Sequence, residues 1–433
     1  MITKSVKNYI ICITFFFHLI FNVLCSHWVQ EVFPLPVSIL RIFTVLIYLP
    51  YFSVIVLKLI SDIKERLLFK GINIVYYSFC AYYGLVSVWR LLKHGEVKES
   101  FYYFVVIVGA LAFFIQVFNR KLFSKECLNK NLVICMGILC LFRIVFLFLV
   151  NRTFSYLPVN AIVFACLFLI SIPFLANHFD KGSRAQKITY STILVLSVVF
   201  GLLSGSRASF YLLLMVIFAV AVFLLIKNRK SLILFLSLNL CSLLLVSILF
   251  AVNFSDVRKN VIREVWFLNS IVKVDDTESG LNGNDEDELE SDIEELIEQQ
   301  NQQIDRSDTG RKELMINGIN EIKKNPVFGT GDVLYQQQMT ETYIANQSSH
   351  NFIIESLVSF GIIGTGLLMA ALLMLFVKAL KEIDFENKFY LVLTAGALLA
   401  FSCIQPLFFN AIVVFPLFLI YSAFSISSGK SDK

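Results

Sequence analysis

Charge is what this chain has least of. Only 16% of its 433 residues are Asp, Glu, Lys or Arg, against about 25% in a soluble domain, which excludes an ordinary water-soluble enzyme. Proline is sparse at 8 residues, glycine stands at 19 and phenylalanine at 43, a balance that excludes a low-complexity or fibrous chain. Histidine is limited to five residues, none paired at helical metal spacing, and the nine cysteines contain no Cys-x-x-Cys. No metal site, redox chemistry or cofactor is therefore expected. Eight of the cysteines lie in apolar runs as packing residues, and Cys127 lies in a short basic loop. The long polar segment has none, so no disulfide framework is indicated. There is no clustered basic face either, which argues against a nucleic-acid partner.

What is present is hydrocarbon: 57% of residues are apolar, 14% are aromatic and the mean hydropathy is +0.74. The apolar residues come in runs of the length that crosses a bilayer core, about 20 residues for ~30 Å. Twelve candidate spans are predicted, at about 9–27, 35–60, 71–92, 100–118, 131–150, 158–176, 188–203, 209–226, 231–252, 352–377, 389–405 and 407–425. The shorter runs, 188–203 and 389–405, are candidates for little tilt or a re-entrant path. The first run follows Lys4 and Lys7 but lacks a small-residue cleavage site, so it is read as a retained span. The expected fold is an all-α polytopic membrane protein, with helices over 1–252, a large helical outer loop over 253–350 and three more helices over 351–433.

Loop charge gives an orientation. Net charge is +5, but residues 253–350 hold 20 of the 32 acids and 9 of the 37 bases. Lys and Arg crowd the termini and the segments 58–70, 120–130, 181–187, 227–230 and 378–388. The opposite short loops carry only Lys93, Lys98, Arg152 and Arg207. By the positive-inside rule both termini are cytoplasmic and the long acidic loop faces outward. Within that loop Val257, Val261, Val265, Trp266 and Leu268 recur near helical spacing. Asp285 to Ile304 forms an acidic amphipathic pattern, and 280–284 reads as a flexible joint. A third helix is predicted from Arg311 to Lys324, stopped by Pro326 and followed by a tight turn at Gly329-Thr330-Gly331.

Four arginines sit in or at the outer half of apolar runs: Arg41, Arg90, Arg143 and Arg207. A charge within the bilayer costs at least ~2.5–3.5 kcal/mol on insertion scales, so each is a functional candidate. Arg90, a few residues from its helix end, reads as snorkelling to the interface. Arg143 lies in the middle of Leu, Phe and Ile sequence. No Lys or Arg is read as comparably deep in the inner half. Guanidiniums at one depth point to an anionic ligand, which their planar forks suit. Arg207 stands among the small residues Gly205-Ser206-Arg207-Ala208-Ser209, where a serine at 206 or 209 is a candidate cap. Arg311 shares a helical face with Leu314, Met315, Gly318, Ile319 and Ile322. A cation at a helix N-terminus opposes the dipole, so helix stability does not explain it and a partner anion would.

His350 is the one histidine of the long loop, in Ser348-Ser349-His350-Asn351 ahead of a long apolar helix with Gly361, Gly364 and Gly366. Asn351 or Ser349 can cap that helix, and the glycines permit close packing against a neighbouring span. A histidine at the membrane boundary can exchange a proton near neutral pH. Glu355, one turn inside, is its partner or a second base.

The run from Arg311 through Asn325-Pro326-Val327-Phe328-Gly329-Thr330-Gly331 to His350-Asn351 and Gly361-Ile362-Ile363-Gly364 resembles the O-antigen polymerase and ligase superfamily. The family pattern is an Arg, a Pro-x-x-Gly-x-Gly turn, a spacer, then His-Asn opening a helix with a Gly-hydrophobic-hydrophobic-Gly step. Gly205-Ser206-Arg207 resembles the family's Ser-Arg turn. The resemblance implies a membrane glycosyltransferase using a glycan on undecaprenyl pyrophosphate at the outer face of the bacterial inner membrane. It implies an anion clamp of Arg207 and Arg311 and a general base at His350. Arg41, Arg143, Asn351 and Glu355 are added as candidate substrate-binding residues, although Arg41 and Arg143 match no family motif. Expected partners are the lipid-linked oligosaccharide as donor and acceptor, membrane lipids and a chain-length regulator. The expected function is an inverting, metal-independent polymerase of O-antigen or capsule-type polysaccharide. A ligase acting on lipid A core is the second reading and a flippase of the same lipid the third. A flippase needs charged groups through both leaflets, and the sequence reads as confining its deep cations to one.

Overall fold

A computed structural model of the chain describes residues 37–94, 100–120, 125–149, 161–181, 183–203, 207–251, 314–331, 336–339, 344–347, 349 and 351–403. The expected spans 9–27 and 407–425, and the loop patterns at 257–268, 280–284 and 285–304, lie outside these residues. Eleven helices are described. They are α1 (Val37–Lys64), α2 (Ile72–His94), α3 (Ser100–Arg120), α4 (Lys125–Leu149), α5 (Ala161–His178), α6 (Arg184–Leu202), α7 (Arg207–Lys227), α8 (Arg229–Ala251), α9 (residues 314–324), α10 (Phe352–Glu382) and α11 (Phe385–Ser402).

Ten of the predicted apolar runs coincide with α1 to α8, α10 and α11. Their ends shift by a few residues, most at α4, where helix begins at Lys125 in polar sequence. Once nucleated, a helix continues past its hydrocarbon stretch because each further residue adds a hydrogen bond. By length and composition, four stretches are apolar enough to cross a membrane: Arg184–Leu202, Ser209–Lys227, Arg229–Leu249 and Phe352–Glu382. The expected count of twelve spans is thus met only in part among the described residues.

The core follows from helix composition. The sequence of α5 is apolar on every face, the pattern of an enclosed helix. Residues 166–176 are all buried, and α5 packs against α6, α7 and α11. By contrast, α8 turns Ile233, Leu240, Leu244 and Ile248 outward, each more than half exposed. An apolar stripe of that length needs a lipid surround. A second group joins α1 to α3, where Tyr51 packs on Gly109 so closely that a Cβ there would meet it at 2.6 Å. In turn, α2 packs on α3 and α10.

One end of the bundle carries a polar seam. Lys181 and Lys227, at the C-terminal ends of α5 and α7, both pair with Glu386 at the start of α11. Ser231 of α8 donates to Asp180, and Asn129 of α4 donates to Nε2 of His178 at 3.3 Å. The other end is fixed where Asn351, ahead of α10, donates to Cys403 O at 3.2 Å, just past α11.

Among the described residues of the loop, one stretch departs from the all-helical expectation. Gln336–Met339 and Ile344–Gln347 form a two-stranded antiparallel hairpin, with Gln336 opposite Gln347 and Met339 opposite Ile344. This stretch has no apolar period of 3.6, and Ile344 favours extended backbone.

Candidate functional site

The site is built around a break in α10. Asn351 is the N-cap predicted from sequence: its Oδ1 accepts from the N–H groups of Ile353 and Ile354 at 3.0 and 3.2 Å. Ser349 is buried, and its Oγ accepts from Asn351 N–H and donates to Asn351 O, both at 3.3 Å. Two and a half turns later the helix is interrupted at Gly361, with φ 67° and ψ −175°, a region open to glycine almost alone.

A break of this kind orphans main-chain groups, which apolar surroundings do not tolerate. Here the turn after α9 takes them up. In a continuous helix Val358 O would accept from Ile362 N–H. Instead Thr330 N–H donates to Val358 O at 2.6 Å, and Ile362 N–H donates to Pro326 O at 2.8 Å. Gly329 N–H closes the turn on Asn325 O at 2.9 Å. Gly329 (φ 70°) and Gly361 meet backbone to backbone. A Cβ on Gly329 would lie 2.5 Å from Gly361 N, and one on Gly361 would lie 2.2 Å from Val327 O. The two glycine motifs read separately in the sequence are the two halves of one junction. Gly361 therefore packs against a turn rather than the neighbouring span expected of it, whereas Gly364 does pack on a span, against the Tyr82 ring of α2.

The junction is held from α2. The Tyr82 hydroxyl lies 3.2 Å from Val327 O and 3.0 Å from Phe360 O, bridging turn and helix. Phe360 is enclosed edge-on by Phe79 and Tyr83. Arg90 Nη2 donates to Phe328 O at 3.0 Å and to Gly329 O at 2.6 Å. At 5% exposure Arg90 does not snorkel as its position near the helix end predicted, because the turn brings carbonyls to it. Its Nη1 is buried with no acceptor among the described residues. A buried donor left without an acceptor costs about 1–3 kcal/mol, more when charged. Sequence reasoning singled out Arg90 but read it as snorkelling, and it missed Tyr82 as part of the site. The available signal was that Phe79, Tyr83, Val86 and Arg90 recur at offsets 4, 7 and 11, one face of α2.

The other predicted site residues are placed unevenly. Arg143 is enclosed at 1% exposure on α4, and a rise of 1.5 Å per residue puts it ~21 Å along the helix from Asn129, away from the polar seam. Glu355 is fully buried one turn inside α10, with Ser356 and Ser359. Arg41 lies in the first turn or so of α1 and Arg207 opens α7; their side chains, and the whole of Arg311 and His350, lie outside the described residues. Ser209 is buried inside α7 and is not its cap. The face assigned to Arg311 is narrower than predicted, since Leu314 and Gly318 are buried while Met315 and Ile319 are exposed.

The expectation that deep cations occupy only one end is corrected by Lys58. It is 1% exposed in α1, pairs with Asp62 and donates to Asn73 Oδ1 at 2.9 Å. Tyr77 O–H also donates to Asp62, at 2.9 Å. Sequence reasoning counted Lys58 as a loop charge because its i,i+4 acid was not set against it. A cleft of about 500 Å³ lies beside the polar seam, lined in part by Asn129, Lys130, His178, Lys181 and Tyr190. Its groups are already engaged: His178 Nδ1 donates to Phe174 O at 2.8 Å, which leaves Nε2 to accept from Asn129.

A comparison with curated proteins finds no match. A family model described as O-antigen ligase matches residues 192–369. The match takes in Arg207, Arg311, the turn, His350 and the α10 break, and leaves out α1 to α5. It indicates a glycosyltransferase-like enzyme of ligase or polymerase type, in keeping with the apolar helices of a multi-pass membrane protein. The match over residues 192–369 accordingly supports the resemblance of this part of the chain to the O-antigen polymerase and ligase superfamily.

Proposed function

We propose that this protein is a polysaccharide polymerase. It transfers a glycan from undecaprenyl pyrophosphate to a sugar hydroxyl of another lipid-linked repeat unit, on the outer face of the bacterial inner membrane. The observation that carries the reading is the match over 192–369, two of whose motifs, the turn at 326–331 and the Gly361 step, join in one main-chain junction.

The chemistry needs few groups. His350 takes the proton of the acceptor hydroxyl as its oxygen bonds to the anomeric carbon. The bond from that carbon to the pyrophosphate oxygen breaks, and the electron pair leaves with undecaprenyl pyrophosphate. Arg207 and Arg311 meet the developing negative charge, with Arg41 and Arg143 as further cations. Fixed cations in a site closed to water stabilise such charge without reorganising. In-line attack inverts the anomeric centre. The hydrocarbon tail of the donor suits a bundle whose outer helices expose apolar surface. Both termini lie in the cytoplasm and 253–350 lies outside.

The ligase reading is favoured by one observation, the description of the matched family. Purified protein given lipid-linked repeat unit and no second acceptor separates the two. A polymerase makes a ladder of products, whereas a ligase given no lipid A core makes none.

A further inference from the structure

Arg90 belongs to α2, outside the matched segment 192–369, yet its guanidinium is built into the junction that this segment forms. Nη2 is committed to two carbonyls of the turn. Because the guanidinium is planar, fixing Nη2 also fixes the direction of Nη1. Nη1 is buried, and among the described residues it has no acceptor and Arg90 has no carboxylate partner. Beside it is Gly331, at φ 81°. A Cβ on Gly331 would lie 2.1 Å from Nη1 and 2.8 Å from Cζ. The absent side chain therefore lets the guanidinium lie against the main chain of the turn at Gly331. Neighbouring Gly329 is needed for the backbone junction, whereas Gly331 is needed for the space that Arg90 itself fills.

A positive group that is enclosed, aimed and left with an N–H that has no acceptor calls for an anion. We propose that Arg90 is a further substrate-binding residue, whose Nη1 donates to a phosphate oxygen of the lipid-linked donor. This rests on the reading under Proposed function and adds to it. One N–H₂ group of the same guanidinium holds the turn and the other takes the ligand, so the donor and the turn order each other. A ligand on Nη1 is felt at Phe328 and Gly329, and through Thr330 and Pro326 at the α10 break.

The test uses full-length protein in nanodiscs and direct binding of undecaprenyl pyrophosphate, with inorganic pyrophosphate as the comparison anion. Arg90→Gln is expected to weaken binding of the lipid at least tenfold. Tyr82→Phe, which loosens the same turn but removes no cation, is expected to weaken it less than threefold. Equal losses in the two variants, or wild-type binding by Arg90→Gln, overturn the assignment. Should Arg90→Gln fail to insert, Arg90→Lys carries the test: it keeps the charge but not the fork, and a loss larger than that of Tyr82→Phe is expected, whereas a loss no larger overturns the assignment. Inorganic pyrophosphate binding as tightly as the lipid form overturns the lipid-linked assignment. Because binding is read without turnover, a protein that binds through Arg90 and makes no polymer would overturn the polymerase reading alone.

Discussion

Arg90 and Arg311 show how far single residues can be read. The helical-face argument set Arg311 on a packed stripe of which Leu314 and Gly318 are buried while Met315 and Ile319 are exposed, and the same argument applied to α2 places Arg90 with Phe79, Tyr83 and Val86. Proximity to a helix end concealed it, because nothing in a sequence says that a turn more than 200 residues later will cover that end. The junction glycines were legible as a turn and as a helix step, but not as partners, since their contact is main chain to main chain. Gly361→Ala should cost of order 1–3 kcal/mol from backbone strain alone, with the contact at Val327 O adding to it. Thermal unfolding in detergent would read this; an unchanged midpoint would mean that the break is not rigid. Tyr82→Phe, which removes one bridging hydroxyl, should cost about 0.5–1.5 kcal/mol. For the chemistry, His350→Ala should leave the protein inserted and stop chain growth, and normal polymer lengths would remove His350 as the base. Arg207→Ala and Arg311→Ala should weaken donor engagement, with Lys only partly restoring it; full activity in the alanine variants would discard the clamp.

At the level of elements, apolar runs near 20 residues announced ten of the described helices, because a bilayer-length stretch leaves little choice of structure. Helix ends were less legible: α4 starts in polar sequence, and α10 is long only because two helices meet at Gly361. The hairpin at 336–347 escaped notice because eight paired residues carry too little pattern to stand out. The start of α11 yields a pH prediction. Burial alone would raise the Glu386 carboxyl, but hydrogen bonds and charge from Lys227 and Lys181 hold it below the ordinary value. A depressed folded-state value means that the stabilisation is present above the unfolded value of about 4.3 and is lost as pH falls through the folded one. Acid should therefore loosen the seam joining α5, α7 and α11. Glu386→Gln should remove this pH dependence, as hydrogen exchange at the three helix ends would report.

For the whole molecule, alternation of helix direction sets two chemically different ends. One is closed by ion pairs centred on Glu386, with Lys58 and Asp62 paired in α1. The other holds the α10 cap, the glycine junction and Arg90. The positive loops belong to the first end, so reporter fusions at residue 290 should read outside and at residue 383 inside; the reverse would invert the assignment of the reaction to the outer face. The central claim is transfer from a lipid pyrophosphate with His350 as base. It is tested most directly by giving purified lipid-linked repeat unit alone to wild-type and His350→Ala proteins in proteoliposomes. The account predicts a ladder of lengthening glycans from the wild type and none from the equally inserted variant. A wild type that leaves the repeat unit unextended, or a variant that makes the same ladder, would contradict it.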